Sequence, residues 1–328
     1  MVIAVDAAGG DFYPKNPVQG AVEAIADKEE LMILLVGPEA LITRELQNYT
    51  YDSERIRILD APEIIDMDES PSTAVRNKRH SSIVVGLNAH KQGDCAAFVS
   101  AGNTGALLAA SIFILGKLDG VNRPTIATHF PTIKGMRLLL DAGANLELKP
   151  ETYLQFAQMG TIYSRDILGI KDPTVGLINV GEEPEKGTEL LKEVYQNLKE
   201  LPNFKGNVEG RDIFEASTDI FLCDGLVGNI LLKFGESIPA AIQKILGRTM
   251  KEMKVDTETK DMVIKILHRS LHSFNYEHVG GVPFLGVNGV SMVGHGGSTP
   301  AAVKNMILNA AHCVEAGVND KIVASLHN

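Results

Sequence analysis

The sequence predicts an α/β fold, a mostly parallel sheet with helices packed on both faces. Strand-like runs alternate with helix-like stretches along most of the chain, and the runs are continuously apolar, as strands buried on both faces are. With 328 residues and 45% hydrophobic content, the chain is long and apolar enough for one large α/β unit. In order the runs are VIAVD (2–6), LMILLVG (31–37), RIRILDA (55–61), CAAFVS (95–100), TIATHF (125–130) and RLLLDAG (137–143). TVGLINVG (174–181), DIFLCDG (219–225) and GVSMVGHG (289–296) follow. One stretch breaks the rhythm: residues 239–275 hold two helical patterns joined by the polar turn VDTET, and read as a helical hairpin projecting from a single domain spanning 1–328.

A formal charge of -10 sets the field of the whole molecule against DNA, RNA and anionic lipid, so nucleic acid is not an expected partner. Aromatic residues are 5% with no Trp, against 31 glycines, which suits tight strand-to-helix turns better than a base-stacking surface. Cys95, Cys223 and Cys313 lie far apart with no CxxC or Cys/His spacing, which argues against a disulfide framework or a zinc site and fits a reducing cytoplasm. The opening MVIAVDAAGGD reads as a first strand instead of a signal peptide, and no run approaches the ~18 uncharged apolar residues of a spanning helix.

In parallel sheets ligands sit beyond the carboxyl ends of the strands, so the residues after each run matter most. Six such ends, DAAGGD, SAGNTGA, DAGAN, NVGEEPEKG, DGLVGN and GHGGST, set glycine beside Asp, Asn, Ser, Thr or His. Any one of them is ordinary turn chemistry, because glycine supplies positive φ and Asn or Asp caps the next helix. Recurrence across six points to one composite site. In VSAGNTGALLAAS (99–111), Gly102 and Gly105 admit close approach, Asn103 and Thr104 offer short polar side chains, and the helix from about Gly105 presents unpaired N–H groups. That is an anion cradle or a plainly capped helix start. GHGGSTPAAV repeats the logic, with Ser298 or Thr299 as cap and Pro300 at the first helical position.

Neither loop is a P-loop and DAAGGD is not GxGxxG, so nucleotide binding has no motif support. There is no GxSxG elbow, and Cys223, in an apolar strand beside Asp224, reads as a buried thiol; for acyl transfer the nucleophile would arrive as a substrate. The nine histidines include no HExxH, and His268 and His272 fall on a basic, solvated helix face. Two cations stand near strand ends. Lys186 opens a helix after NVGEEPE, and Arg211 lies between Glu209 and Asp212. Both suit a phosphate pocket, and both equally suit a bland role, solvation for Lys186 and an ion pair for Arg211.

Taken in order, AVDAAGGD, SAGNTGALLA, NRPTIA, LLLDAGANLELKPE, GLINVGEEPEKGTEL, GNVEGRD, DGLVGN, GGVPFLGVNG and GHGGS make the chain resemble the bacterial acyl-ACP:phosphate acyltransferases of phospholipid synthesis over most of its length. The resemblance implies a three-layer α/β/α sandwich like that of isocitrate and isopropylmalate dehydrogenases and of phosphotransacetylases. It also implies a cytoplasmic homodimer without cofactor or metal. Its reaction converts acyl-[acyl carrier protein] and inorganic phosphate to acyl phosphate and free carrier protein, and a membrane glycerol-3-phosphate acyltransferase takes the product. On this footing Lys186 orients and neutralises phosphate, and Asn229 bonds the oxyanion or phosphate. His295 is a candidate proton donor to the departing thiolate, with a cap or core role fitting it as well. Gly102, Asn103, Thr104, Gly105 and Asn145 form the phosphate-binding set. The alternatives are a phosphotransacetylase-like enzyme using acyl-CoA and a non-catalytic module that binds acyl carrier protein; a dehydrogenase lacks a recognisable nicotinamide site.

Two departures qualify the transfer. Phe12 stands where the family's first loop has His, which takes that position out of the site and leaves Asp11 a structural or indirect role. The hairpin, apolar and tied to membrane association in relatives, carries the charged VDTETKDM here, which leaves peripheral attachment at the inner face of the membrane open. It still offers a basic stripe. Lys244, Arg248, Lys251 and Lys254, spaced by four, three and three residues, share one helix face, with Ile242, Ile245, Leu246 and Met253 on another. This stripe, or RNKRH at 76–80, would receive an acidic carrier protein; the stripe equally suits a solvated face on a dimer-packing helix.

Overall fold

A computed structural model describes residues 1–271 and 280–327. The first part of the chain follows the predicted alternation: β1 (Val2–Asp6), α1 (Lys15–Asp27), β2 (Met32–Gly37), α2 (Glu39–Leu46), β3 (Ile56–Asp60), α3 (Pro71–Asn77), α4 (Ser82–Gln92), β4 (Ala97–Ser100) and α5 (Thr104–Ile114). Then come β5 (Thr125–Ile126), β6 (Thr128–Thr132), β7 (Gly135–Leu140), α6 (Pro150–Asp166), β8 (Val175–Ile178), α7 (Glu189–Leu198), β9 (Phe204–Val208) and β10 (Ile220–Leu222). The last elements are α8 (Gly225–Glu252), α9 (Thr257–Ser270), β11 (Val282–Leu285), β12 (Val290–Val293), α10 (Pro300–Glu315) and α11 (Val318–Leu326).

The strands form two sheets where the sequence suggested one. Among the described residues, the first has seven strands in the order β3-β2-β1-β4-β12-β11-β5, and the second has five in the order β6-β7-β10-β8-β9. Both are mostly parallel, with antiparallel pairing confined to β12–β11, β11–β5 and β6–β7. The division falls inside one predicted strand. TIATHF reads as one strand-like run, yet Thr125–Ile126 pairs with β11 and Thr128–Thr132 with β7, so the chain steps from one sheet to the other at Ala127. Two strands went unpredicted because their sequences hide them: β9 (FKGNV) is an edge strand rich in polar residues and glycine, and β11 (VPFL) contains Pro283.

Along the central strands, buried side chains alternate between two cores. Ile3, Val5, Ile33, Leu35, Ala97 and Val99 face a core built with α1 and α10, while Ala4, Leu34, Val36 and Phe98 face a second core built with α4 and α5. Successive side chains point to opposite faces and both faces are covered, which is why these runs read as uninterrupted apolar sequence. The second sheet repeats the pattern: Leu138, Leu140, Ile220 and Leu222 pack with Tyr153 and Phe156 of α6, and Leu139 and Phe221 pack on the other side near Leu231 of α8. No helix among the described residues is long and apolar enough to cross a membrane.

The hairpin exists with different bounds. Its first helix begins at Gly225, where Asp224 accepts a hydrogen bond from Val227 N at 2.8 Å, and it continues through Pro239 to Glu252. A proline usually marks a helix start or break, so the sequence placed the beginning there. The second helix starts at Thr257 on the cap Asp256, inside the stretch expected to be a turn. Residues 272–275 of the predicted hairpin, His272 among them, lie outside the described residues.

Candidate active site

The six glycine-bearing strand ends sort into two groups of three. β1, β4 and β12 are parallel neighbours in the first sheet, so DAAGGD, SAGNTGA and GHGGST leave from adjacent strand ends. β7, β10 and β8 are parallel neighbours in the second, which brings together DAGAN, DGLVGN and NVGEEPEKG. The composite site is therefore a meeting of two loop clusters, one from each sheet.

In the first cluster a buried carboxylate organises the turns. Asp6 accepts hydrogen bonds from Ala8 N at 3.0 Å and Ser100 Oγ at 2.6 Å, and Ser100 Oγ accepts one from Gly102 N at 3.0 Å. Burial pushes the Asp6 carboxyl up, and the bonds from Ser100, Ser82 and the loop N–H groups oppose it. Asn103 caps α5: its Oδ1 accepts from Ala106 N at 3.0 Å, and its amide donates to the carbonyls of Asp66, Met67 and Glu69 at 3.1, 3.2 and 3.1 Å. This corrects the expected cradle. The Gly102 N–H and the Asn103 side chain are committed to holding the loop, and Gly105 meets α3, where a Cβ would lie 2.6 Å from Pro71 Cγ. The anion donors that remain are the first-turn N–H groups of Thr104 and Gly105, which have no intrahelical acceptor, and the exposed Thr104 hydroxyl.

The second cluster is built on Asp141, fully buried at the end of β7. Its carboxylate accepts from Thr125 Oγ1 at 3.0 Å, Ile126 N at 3.1 Å, Asn145 N at 2.6 Å and Asn145 Nδ2 at 3.1 Å. Burial pushes this carboxyl up against those bonds. Asn145 also donates to Pro124 O at 2.8 Å, and its own carbonyl accepts from Gly225 N at 2.7 Å. Asn145 thus ties the loop to the neighbouring strand and to α8, a structural position in place of the expected phosphate contact. α8 can start this close only because residue 228 is glycine: a Cβ there would stand 1.8 Å from Asp141 O. The next residue, Asn229, is exposed and faces Gly143.

Between the clusters lies a cavity of about 330 Å³. Thr104, Asn229 and His295, named from the sequence, all line it. His295 is held by its own loop: its Nδ1 accepts from Gly297 N at 3.1 Å, and its carbonyl accepts from Ser298 N at 2.9 Å and Ser298 Oγ at 2.6 Å. With Nδ1 accepting, the neutral ring carries its proton on Nε2. Three titratable lining residues, Lys233, Glu236 and His129, were missed. Lys233 lies one turn beyond Asn229 on α8, its Nζ 2.9 Å from Glu236 Oε2, and His129 lies on β6. The spacing of 229, 233 and 236 would have put them on one face had the helix been read from Gly225. Burial pushes His129 down to about 4, and neither ring nitrogen has a hydrogen-bond partner among the described residues.

Lys186 does not line this cavity. It lies in an exposed loop three residues before α7, which starts at Glu189 on the cap Thr188, and its Nζ is 4.0 Å from Glu183 Oε2. The loop nevertheless leaves β8, the strand beside β10, so Lys186 shares the sheet edge from which Asn229 rises. Arg211 takes its bland role as an exposed ion pair, 2.6 Å from Glu209 and 3.7 Å from Glu182. Cys223 is buried, and burial pushes its thiol well above the usual range, as expected of an inert core residue. On the hairpin, Lys244, Arg248 and Lys251 are exposed on α8, whereas Lys254 lies past the helix end at φ 53°, which takes it off the stripe. In the alternative patch, Lys78 is bound inward to Ile64 O at 2.6 Å and to Glu69.

Two glycine-loop clusters facing each other across a partly apolar cavity define an α/β protein with a candidate site between its sheets. The fold is that of phosphotransacetylases: a phosphotransacetylase from Staphylococcus aureus superposes with a TM-score of 0.60 at 13% identity, over 95% of this chain and 94% of that one. The chain belongs to the family described as fatty acid synthesis protein, which it matches over residues 1–321. A phosphate acyltransferase from Chlorobaculum parvum is 46% identical, covering 99% of both chains. Another from Halothermothrix orenii is 44% identical over 97% of this chain and 96% of its own.

Proposed function

We propose that this chain transfers an acyl group from the thioester of acyl carrier protein to inorganic phosphate, giving acyl phosphate and free carrier protein. One observation carries the reading: Thr104 with its helix N-terminus, Asn229, Lys233 and His295 converge on one cavity whose remaining wall is largely apolar. Phosphate is already a nucleophile near neutral pH, so the protein has only to hold it against the carbonyl and stabilise what forms. The Thr104 hydroxyl and the N–H groups of Thr104 and Gly105 hold the anion, and Lys233 offsets its charge. Lys186 adds a second cation from the neighbouring strand end, exchanging Glu183 for phosphate. A phosphate oxygen bonds to the thioester carbon, the Asn229 amide donates to the resulting oxyanion, the C–S bond breaks, and the departing sulfur, which accepts a hydrogen bond from His295 Nε2–H, takes up the proton that the attacking hydrogen phosphate brings.

The same reading makes the exposed Lys244, Arg248 and Lys251 the landing site for the acidic carrier protein. It makes the exposed Leu226, Ile230 and Phe234 of α8, spaced by one helical turn, a surface for a second copy in a homodimer. It places the enzyme in the cytoplasm, handing acyl phosphate to a membrane glycerol-3-phosphate acyltransferase. The test is incubation with acyl-[acyl carrier protein], with and without phosphate, followed by hydroxylamine trapping and mass detection of the acyl product. Acyl hydroxamate appears only with phosphate present. Thioester loss independent of phosphate, or faster transfer from acyl-CoA than from the carrier, defeats the reading.

A further inference from the structure

The cavity between the loop clusters does not stop at the core of either sheet. Beside its polar groups, its wall includes the apolar Ile126, Phe130, Met136, Leu232, Val282 and Val293. It reaches β6, the edge strand of the second sheet, so no further strand closes it on that side. A second cavity of about 270 Å³ lies beyond, lined by Ile167, Leu168, Asn309 and His312 among others. His129 and Met136 belong to the walls of both. In the antiparallel β6–β7 pair, His129 stands opposite Leu138 and Pro131 opposite Met136, so the two side chains are diagonal neighbours on one face.

We propose that His129 and Met136 form the end wall of the acyl-chain cavity and set the length of chain the enzyme accepts. The inference rests on the proposed function and names the part of the substrate that the apolar wall holds. The chain lies with its thioester at Thr104, Asn229 and His295 and its methyl end against His129 and Met136. The wall suits that contact. Burial keeps the His129 ring uncharged at neutral pH, and its centroid lies 5.7 Å from that of the Tyr163 ring. Met136 is unbranched and flexible, so it defines the limit without a rigid stop. Beyond it the surroundings become mixed, with Asn309 and His312 replacing hydrocarbon, so a longer chain in the native protein meets polar groups it cannot satisfy.

The test sets saturated acyl-[acyl carrier protein] donors of increasing length in competition and reads kcat/KM ratios by mass. Burial of one methylene is worth about fourfold, and removing the outer part of the Met136 side chain frees space for more than one. Met136→Ala should therefore raise the ratio of the longest to the middle chains by at least about tenfold, and Met136→Phe should lower it by a similar factor. Ratios unchanged within about twofold in both variants, or shifted in the same direction by both, overturn the inference. Displacement of a fluorescent fatty acid by free fatty acids of the same lengths gives a second readout that does not need turnover. If the native protein forms no acyl phosphate from any donor, the proposed function fails on its own account. The displacement series then decides the wall: a length cutoff that moves with Met136 upholds it, and one that does not move removes it.

Discussion

Replacing His129 by leucine should stabilise the protein, and by more at acid pH than at neutral pH. Two terms set the size. At pH 8 the native ring is neutral, and its nitrogens are sealed from solvent without partners among the described residues; removing unpaired buried groups of this kind gains about 1–3 kcal/mol. The second term comes from proton linkage. Burial pushes His129 down to about 4 from the ordinary 6.5, so between those values the unfolded chain binds a proton that the folded chain refuses, and stability is lost as pH falls. At pH 5 the difference amounts to about 2 kcal/mol, and near pH 4 it approaches ~3 kcal/mol. His129→Leu has no such proton to take up. Urea denaturation of both proteins at one fixed concentration, from pH 8 to pH 5, measures the difference directly and cancels the carboxylates that titrate in both. Stability curves that run parallel over this range would show that the ring takes up its proton while folded, and would remove the uncharged wall on which the chain-length argument leans.

Gly228→Ala forces a Cβ to within 1.8 Å of Asp141 O, so the first turn of α8 has to move; we expect a loss of about 3 kcal/mol in denaturation and, with Asn229 displaced, a fall of about a hundredfold in acyl phosphate formation. Asn145→Ala leaves Pro124 O and one Asp141 oxygen short of a donor and should cost about 1–3 kcal/mol, while the KM for phosphate in the folded variant stays near the native value; a large rise in that KM would return Asn145 to the phosphate site. Arg248→Glu combined with Lys251→Glu should raise the KM for the carrier-bound donor at low salt, with the effect fading near about 1 M salt; an effect indifferent to salt would mean these residues act by packing. Lys186→Ala should raise the phosphate requirement and leave the unfolding midpoint unchanged, since its ion contact with Glu183 is exposed and long at 4.0 Å.

Much of the architecture was legible because strands buried on both faces must be apolar throughout, and β1, β2 and β4 show that pattern without interruption. What hid the rest was local. β9 and β11 carry Lys, Gly and Pro where a strand pattern asks for apolar or branched residues, and Pro239 imitates a helix start in the middle of α8. That last error had a functional consequence: reading DGLVGN as a loop stopped short of Lys233, which only a helix beginning at Gly225 brings beside Asn229. Residue type also misled in the cradle. Asn103 and Asn145 have the short polar side chains a phosphate pocket wants, and the same property makes Asn a loop fastener; the chain spends both on carbonyls and on Asp141.

The division of TIATHF between the sheets links fold to function most directly. Six glycine loops on one continuous sheet would lie along a single edge, with an anion site and no room for hydrocarbon beside it. Because the chain leaves the first sheet after Ile126 and enters the second at Thr128, the loop clusters stand on separate sheets, and the space at the step becomes the cavity. Asp141 fixes that step, since one carboxylate holds Thr125 and Ile126 on one side and the turn to Asn145 on the other. A cavity lined both by polar groups of the loops and by apolar residues at the step is what the proposed transfer of an acyl group to phosphate requires.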